Sequence, residues 1–264
     1  MSTTNAPKFD EMLNEDGTVR SAYADFRNWY DAQDKSWLKR QDGEAERFFR
    51  RIGITFNVYG ESDAEERLIP FDMIPRIITA KEWRKLTKGI EQRVRAINAF
   101  LQDLYHRQEI IRSGRLPISA LRNNEAFLSQ MIGFTPPGGV YTHIVGIDLV
   151  RTGPDEFMVL EDNARTPSGV SYMLENRNVT KRVMPDLFAN GLIQPVDDYT
   201  AQLYDMLASL SPRPGDDPSI VILTPGIYNS AYYEHSYLSQ QMGVQLVEGS
   251  DLVVGDDDCV YMRK

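Results

Sequence analysis

Between Ala80 and Tyr105 the apolar residues Trp83, Leu86, Ile90, Val94, Ile97, Leu101 and Leu104 recur at spacings of three and four. That period is helical, and a helix of this span is a rod about 39 Å long. An apolar stripe running its whole length must be covered along most of it, so the rest of the chain has to supply a matching surface. Upstream, Tyr23, Phe26 and Tyr30 share one helical face and predict a helix over residues 19–41. A second, shorter helix over 44–52 stops at Gly53, and the β-rich run 54–59, closed by Gly60, reads as a strand. Pro70 and Pro75 keep residues 68–79 extended.

The period then changes. Residues 141–150 and 157–163 read as two strands joined by the turn-rich stretch Arg151-Thr-Gly-Pro-Asp-Glu156. A polar segment follows, then a helix over 199–210. After Pro212 and Pro214 the order is strand (220–223), loop (224–230), helix (231–242) and strand (244–247). That is a βαβ unit, which makes a parallel pair with a right-handed crossover. A last strand is expected over 259–262. The class is therefore mixed α and β, without internal repeat or long linker. It is organised as a helical N-terminal region with short strands (1–135), a strand-and-loop region (136–214) and a Rossmann-like βαβ unit (215–264).

Charge narrows the function. The net charge is −9, yet residues 183–260 alone hold twelve acids against one base, Arg213. An acidic surface repels nucleic-acid phosphates, which argues against a DNA or RNA binder. The segment is either a solvated acidic face or the seat of a basic partner. A single cysteine, Cys259, excludes an internal disulfide framework and a cysteine-based metal cluster. No apolar run approaches the roughly 18–20 residues that cross a bilayer. The polar, acidic start lacks a secretory pattern, so a cytoplasmic location is expected.

The chemistry concentrates in Gly146-Ile-Asp-Leu-Val150 and Leu160-Glu-Asp-Asn-Ala-Arg-Thr-Pro-Ser-Gly169. Strand side chains alternate, so Glu161 and Asn163 share a face and Asp162 takes the other. A symmetric hairpin centred between Pro154 and Asp155 sets Asp148 opposite Glu161, with Cβ atoms about 5 Å apart. Two carboxylates and an amide oxygen on one spot repel unless a cation sits between them, and hard oxygen donors suit Mg²⁺. Magnesium usually keeps waters and adds substrate phosphates, so the site also points to a nucleotide. Arg165, Thr166, Ser168, Gly169, Ser171 and Arg177 follow at once. Arginine suits phosphate or carboxylate, and Ser168-Gly169 could present backbone N–H groups to an anion. The competing reading is a solvated acidic pair beside an ordinary turn.

These residues have a likeness. Glu161-Asp-Asn163, with Pro167 and Gly169 after it and Asp148 on the preceding strand, resembles the metal-binding end of an ATP-grasp ligase. More closely, the chain resembles the circularly permuted ATP-grasp proteins related to glutathionylspermidine synthase. The likeness runs through 70–76 (PFDMIPR), 92–95 (QRVR), 146–148 (GID), 160–163 (LEDN), 167–169 (PSG), 228–232 (YNSAY) and Glu234-His235. It implies an ATP-grasp-like fold, ATP and Mg²⁺ as cofactors, and a reaction joining a peptide-like or small carboxylate to an amine through an acyl phosphate. On the matching positions it implies Asp148, Glu161 and Asn163 as metal ligands. It further implies Arg165, Thr166 and Ser168 against an anion or substrate, and Gly169, Tyr228, Asn229, Ser230 and His235 as pocket lining. Many such ligases carry an arginine two residues before the strand carboxylate; Gly146 stands there, which passes the γ-phosphate role to Arg165 or Arg177. The resemblance also implies a longer protein, with a further C-terminal part packing on the acidic last third. A truncated, inactive ligand- or partner-binding domain is the alternative, and a metal-dependent hydrolase is disfavoured because no general base is evident.

The remaining candidates are structural. His106 is expected at the surface or as a cap, His143 on the strand face opposite Asp148, and Trp29, Trp37 and Trp83 in the core. No Ser-His-Asp order, HExxH motif or Walker loop occurs.

Overall fold

The computed structural model describes residues 9–53, 55–56, 67–68, 70–122, 124–213 and 217–263. In chain order the elements are α1 (Ala24–Asp31), α2 (Lys35–Ile52), β1 (Thr55–Phe56), β2 (Arg67–Leu68), α3 (Ala80–Tyr105), the single turns α4 (Glu109–Arg112) and α5 (Ser119–Arg122), β3 (Gly146–Gly153) and β4 (Glu156–Asn163). Then come α6 (Val170–Val183), α7 (Tyr199–Ser209), β5 (Val221–Leu223), α8 (Tyr232–Met242), β6 (Gln245–Val247), β7 (Leu252–Val254) and β8 (Val260–Met262). They form two compact units, one from the described residues of Met1–Ala22 with Arg76–Pro167, the other from Tyr23–Pro75 with Ser168–Lys264.

In the first unit, α3 has the bounds its periodicity predicts. Its start is fixed by a capping box: Thr79 Oγ1 accepts from Glu82 N at 3.3 Å, and Glu82 Oε2 accepts from Thr79 N at 2.8 Å. The stripe is only half-covered, and Trp83, expected in the core, is 50% exposed. It lies in the first turn of α3. Leu149, Phe157 and Val159 of the hairpin line a cleft with Leu86, Gly89 and Ile90 of α3. Beside them Arg151, its side chain 8% exposed, pairs with Glu82 and with Glu11 at 3.4 Å. A buried guanidinium is tolerable only with such partners. At the other end of α3, Tyr105 stacks between Phe127 and Tyr141.

The second unit has its core where α2 meets α6: Ala45, Phe49, Val179, Val183 and Met184 are all but fully buried. Trp29, Phe71, Tyr172 and Tyr233 pack around them. Two sequence expectations change here. The first helix does not run through residue 41. It breaks near residue 33, because Asp34 caps a new helix by accepting from Ser36 N at 2.7 Å and Trp37 N at 3.3 Å. Helix α2 then continues without interruption through Gly43 to a left-handed stop at Gly53. And the polar segment after residue 169 is α6, the helix that carries half of the core. Of the strand expected over 54–59, Thr55–Phe56 forms, and Ile54 and residues 57–59 lie outside the described residues.

The C-terminal order follows expectation. Strands β5 and β6 are parallel, pairing Val221 with Gln245 and Leu223 with Val247, with α8 between them in the chain. Strands β7 and β8 pair antiparallel. No helix among the described residues is long and apolar enough to cross a membrane.

Candidate functional site

The hairpin β3–β4 sets Asp148 directly opposite Glu161 and Gly146 opposite Asn163. The route to that register is not a plain ladder. Arg151 pairs with Phe157 and Gly153 with Glu156, leaving Thr152 as an extra residue on β3; Leu149 pairs with Val159, leaving Leu160 as an extra residue on β4. The two irregularities offset each other. The second has a chemical consequence. Strict alternation from Phe157 and Val159 would turn Glu161 and Asn163 toward α3. The bulge at Leu160 reverses the phase, so Leu160, Glu161 and Asn163 are exposed while Asp162 is half-buried.

Asp148, Glu161 and Asn163 thus share the exposed face of the hairpin, and Asn163 Nδ2 donates to Glu161 Oε1 at 3.1 Å. Among the described residues no group of three His, Cys, Asp or Glu side chains could hold an ion; the polar groups on this face are two carboxylates and an amide. Hard oxygens on an exposed face are of the kind that suits Mg²⁺.

On the other face Asp162 receives both arms of Arg93 from α3, Nε at 2.7 Å and Nη2 at 2.6 Å. These hydrogen bonds hold the Asp162 carboxyl below the usual carboxylate range. Asn98, one and a half turns further along α3, accepts from Tyr141 N at 2.7 Å and Thr142 N at 3.1 Å. Thr142 in turn donates to the carbonyl of Ala164 at 2.5 Å. Both strand ends next to the acidic face are therefore tied to α3 or to each other. Sequence reasoning assigned no role to Arg93, Asn98 or Thr142. For Arg93 a signal existed, an isolated inward acid (Asp162) that needs a cation.

A side chain at Gly146 would be crowded. A Cβ there would lie 2.8 Å from the Cβ of Pro167 and 3.5 Å from that of Asn163. Pro167 closes over the strand, so an arginine at this position would be crowded too. Arg165 and Thr166 are exposed in the same turn. His143 lies on a bend before β3, exposed, rather than on a strand face, because β3 begins only at Gly146. His106 ends α3, its Nε2 within 3.2 Å of Tyr141 Oη and 3.1 Å of Thr135 Oγ1.

In the second unit the N–H groups offered by the Ser168-Gly169 turn have an internal partner. The Glu234 carboxylate, 4% exposed, accepts from Gly169 N at 2.8 Å, Ser171 N at 2.9 Å and Ser171 Oγ at 2.7 Å. A carboxylate at the start of α6 is favoured by the helix dipole as well as by these bonds. Nearby phenols stay neutral: burial, then the charge of Glu234, pushes Tyr172 and Tyr199 upward. Burial, then Glu175, pushes Tyr237 up to about 12. His235 Nδ1 lies 3.0 Å from Thr224 Oγ1, Asn229 Oδ1 accepts from Ala231 N at 2.9 Å, and Tyr228 is 96% exposed. Ser230 lies in the same loop before α8. Arg177 donates to the Gln194 carbonyl at 2.8 Å and lies over Phe188.

Comparison with known proteins places the chain. An uncharacterized protein of Synechocystis sp. is 47% identical over 94% of this chain and 52% of its own length. One of Mycobacterium tuberculosis is 46% identical over 99% of this chain and 47% of its own. A Frankia casuarinae protein named "Putative glutamate--cysteine ligase 2-2" is 37% identical over 96% of this chain and 29% of its own length. The chain spans about half the length of the first two relatives. Residues 75–264 match the circularly permuted ATP-grasp type 2 family, and with that match covering α3, the acidic hairpin and the whole C-terminal order, the chain belongs to this family.

Proposed function

We propose that this chain carries the metal- and phosphate-handling half of an ATP- and Mg²⁺-dependent carboxylate–amine ligase. The observation that carries the reading is the pairing of Asp148 with Glu161, joined by Asn163 on one exposed face through the bulge at Leu160. Among the described residues no cationic side chain is bonded to either of these facing carboxylates, an arrangement that suits an added cation. Family membership and a relative named as a ligase support the same chemistry. In this reading Asp148, Glu161 and Asn163 hold Mg²⁺, which when bound would neutralise charge on phosphate oxygens. Arg165, in the exposed turn two residues after Asn163, supplies a planar donor to the transferring phosphoryl group or the acyl phosphate, and Thr166 a hydroxyl beside it. Positioning and charge compensation are what such transfers require of a protein. A further C-terminal part packed on the acidic last third belongs to the same proposal, in keeping with the greater length of the relatives.

Manganese binding followed by electron paramagnetic resonance tests it, with Mg²⁺ as competitor. The expected result is one Mn²⁺ site displaced by Mg²⁺, weakened at least tenfold in Glu161→Gln and Asp148→Asn. Unchanged affinity in both variants would remove the metal from the reading.

A further inference from the structure

Glu161 and Asn163 face outward only because the residue between them faces inward, and that residue is held by α3. We propose that Arg93 is a positioning residue for the metal-binding face: its two-armed grip on Asp162 fixes the phase of β4 after the bulge and so presents Glu161 and Asn163 beside Asp148. This deepens, and rests on, the metal reading above.

The argument starts from the cost of the bulge. An extra residue at Leu160 breaks the ladder locally and leaves that leucine 69% exposed. Among the described residues the last part of β4 has only β3 as a strand partner, so little backbone pairing opposes a return to plain alternation. In that alternative phase Asp162 would swing out and Glu161 would turn toward Leu149, Phe157 and Val159. What the observed phase has in its favour is the pair Arg93–Asp162, with nitrogen–oxygen distances of 2.7 and 2.6 Å. A guanidinium fork meeting a carboxylate by two parallel bonds fixes direction as well as distance. A lysine would supply the charge without the direction. The cleft that Arg93 lines also holds Asp155 and Glu82, the latter paired with Arg151; the carboxylate that Arg93 itself grips is Asp162. Asn98 and Thr142 hold the chain just beyond, at Ala164, which confines the phase choice to residues 160–163.

The test uses the full chain and two independent readouts. Glu161→Cys in a Cys259→Ser background reports the direction of side chain 161 by its rate of alkylation. Mn²⁺ affinity of chains that keep Glu161 reports the ligand set. Arg93→Met is expected to slow alkylation at 161 several-fold and to weaken Mn²⁺ about tenfold, within the range of outer-sphere substitutions. Arg93→Lys should fall between, and the exchange Arg93→Asp with Asp162→Arg should recover part of both. The native Cys259 thiol, in otherwise unchanged chains, should alkylate at the same rate with Arg93→Met, because its strand region is remote in sequence from the hairpin. Arg93→Met with unchanged alkylation at 161 and unchanged Mn²⁺ affinity overturns the inference. If Arg93→Met fails to fold by circular dichroism, the lysine variant and the exchange decide by the same two readouts. If the native chain binds no Mn²⁺, the metal reading fails, and the alkylation rates alone decide whether Arg93 sets the phase.

Discussion

Gly146 shows how a single residue can carry both a steric and a chemical message. Its backbone requires no positive φ; what crowds a side chain is Pro167, 2.8 Å from where a Cβ would sit. Gly146→Ala is therefore expected to cost about 1–3 kcal/mol, the range for overpacking, read from urea denaturation. Because Asn163 stands opposite Gly146, the same substitution should weaken Mn²⁺ binding; native affinity with lowered stability would separate the two effects. Glu234 is the comparable residue of the second unit. Glu234→Ala leaves the N–H groups of Gly169 and Ser171 and the Ser171 hydroxyl without their acceptor in a buried place. A loss on the order of 3 kcal/mol follows from unsatisfied buried donors, and Glu234→Gln should recover part of it in the same denaturation series. The acids of the hairpin were legible in the sequence because they are close in number and of one charge. Glu234 was not legible as the partner of Gly169, because 65 residues separate them and nothing local marks the pairing.

At the scale of elements, the long helix and the βαβ order could be read from periodicity, since each is a regular repeat over a long enough window. The hairpin register was also readable, but for an incomplete reason. Symmetric pairing gave Asp148 opposite Glu161 only because the irregularity at Thr152 offsets the one at Leu160. Helix α6 was hidden because its buried residues, Ser171, Leu174, Val179 and Val183, lie among polar ones and it starts at a glycine with no side-chain cap. The start of α3 carries a pH prediction. Burial opposes the charge on Glu82, yet hydrogen bonds from Thr79, then Arg151 and Lys81, outweigh it and hold its carboxyl below the usual value. Glu82 is ionised in the fold at pH values where the unfolded chain, near 4.3, has begun to take up its proton. Its contribution is thus complete above that value and is lost as pH falls through the lower folded one. Arg151, which also faces Glu11, loses its main partner in that window. The urea midpoint should fall more steeply between about pH 5 and pH 3 in the native chain than in Glu82→Gln. Parallel slopes would mean that other carboxylates govern acid unfolding.

Over the whole molecule, apolar exposure and charge meet at the last hairpin. Val254 and Val260 pair across β7 and β8, and each is 65% exposed; Val253, Tyr261 and Met262 are exposed beside them. A two-stranded ribbon of this kind offers unpaired backbone and apolar side chains together, the combination that strands use to associate. Its turn carries Asp256, Asp257 and Asp258, and the charged residues of 183–260 are twelve acids against one base. Like charge should keep two copies apart at low ionic strength. Salt at 0.1 M shortens the reach of that repulsion to about 10 Å and leaves apolar contact intact. The 264-residue chain is therefore expected to self-associate with concentration, and more strongly as salt rises, in sedimentation-velocity measurements. An association driven by opposite charges would weaken with salt instead. Val254→Lys with Val260→Thr places a cation and a hydroxyl on the exposed pair and should return the chain to a monomer at every salt concentration. A native chain that stays monomeric at high salt, or a double variant that associates like the native one, would show that this ribbon is not the contact.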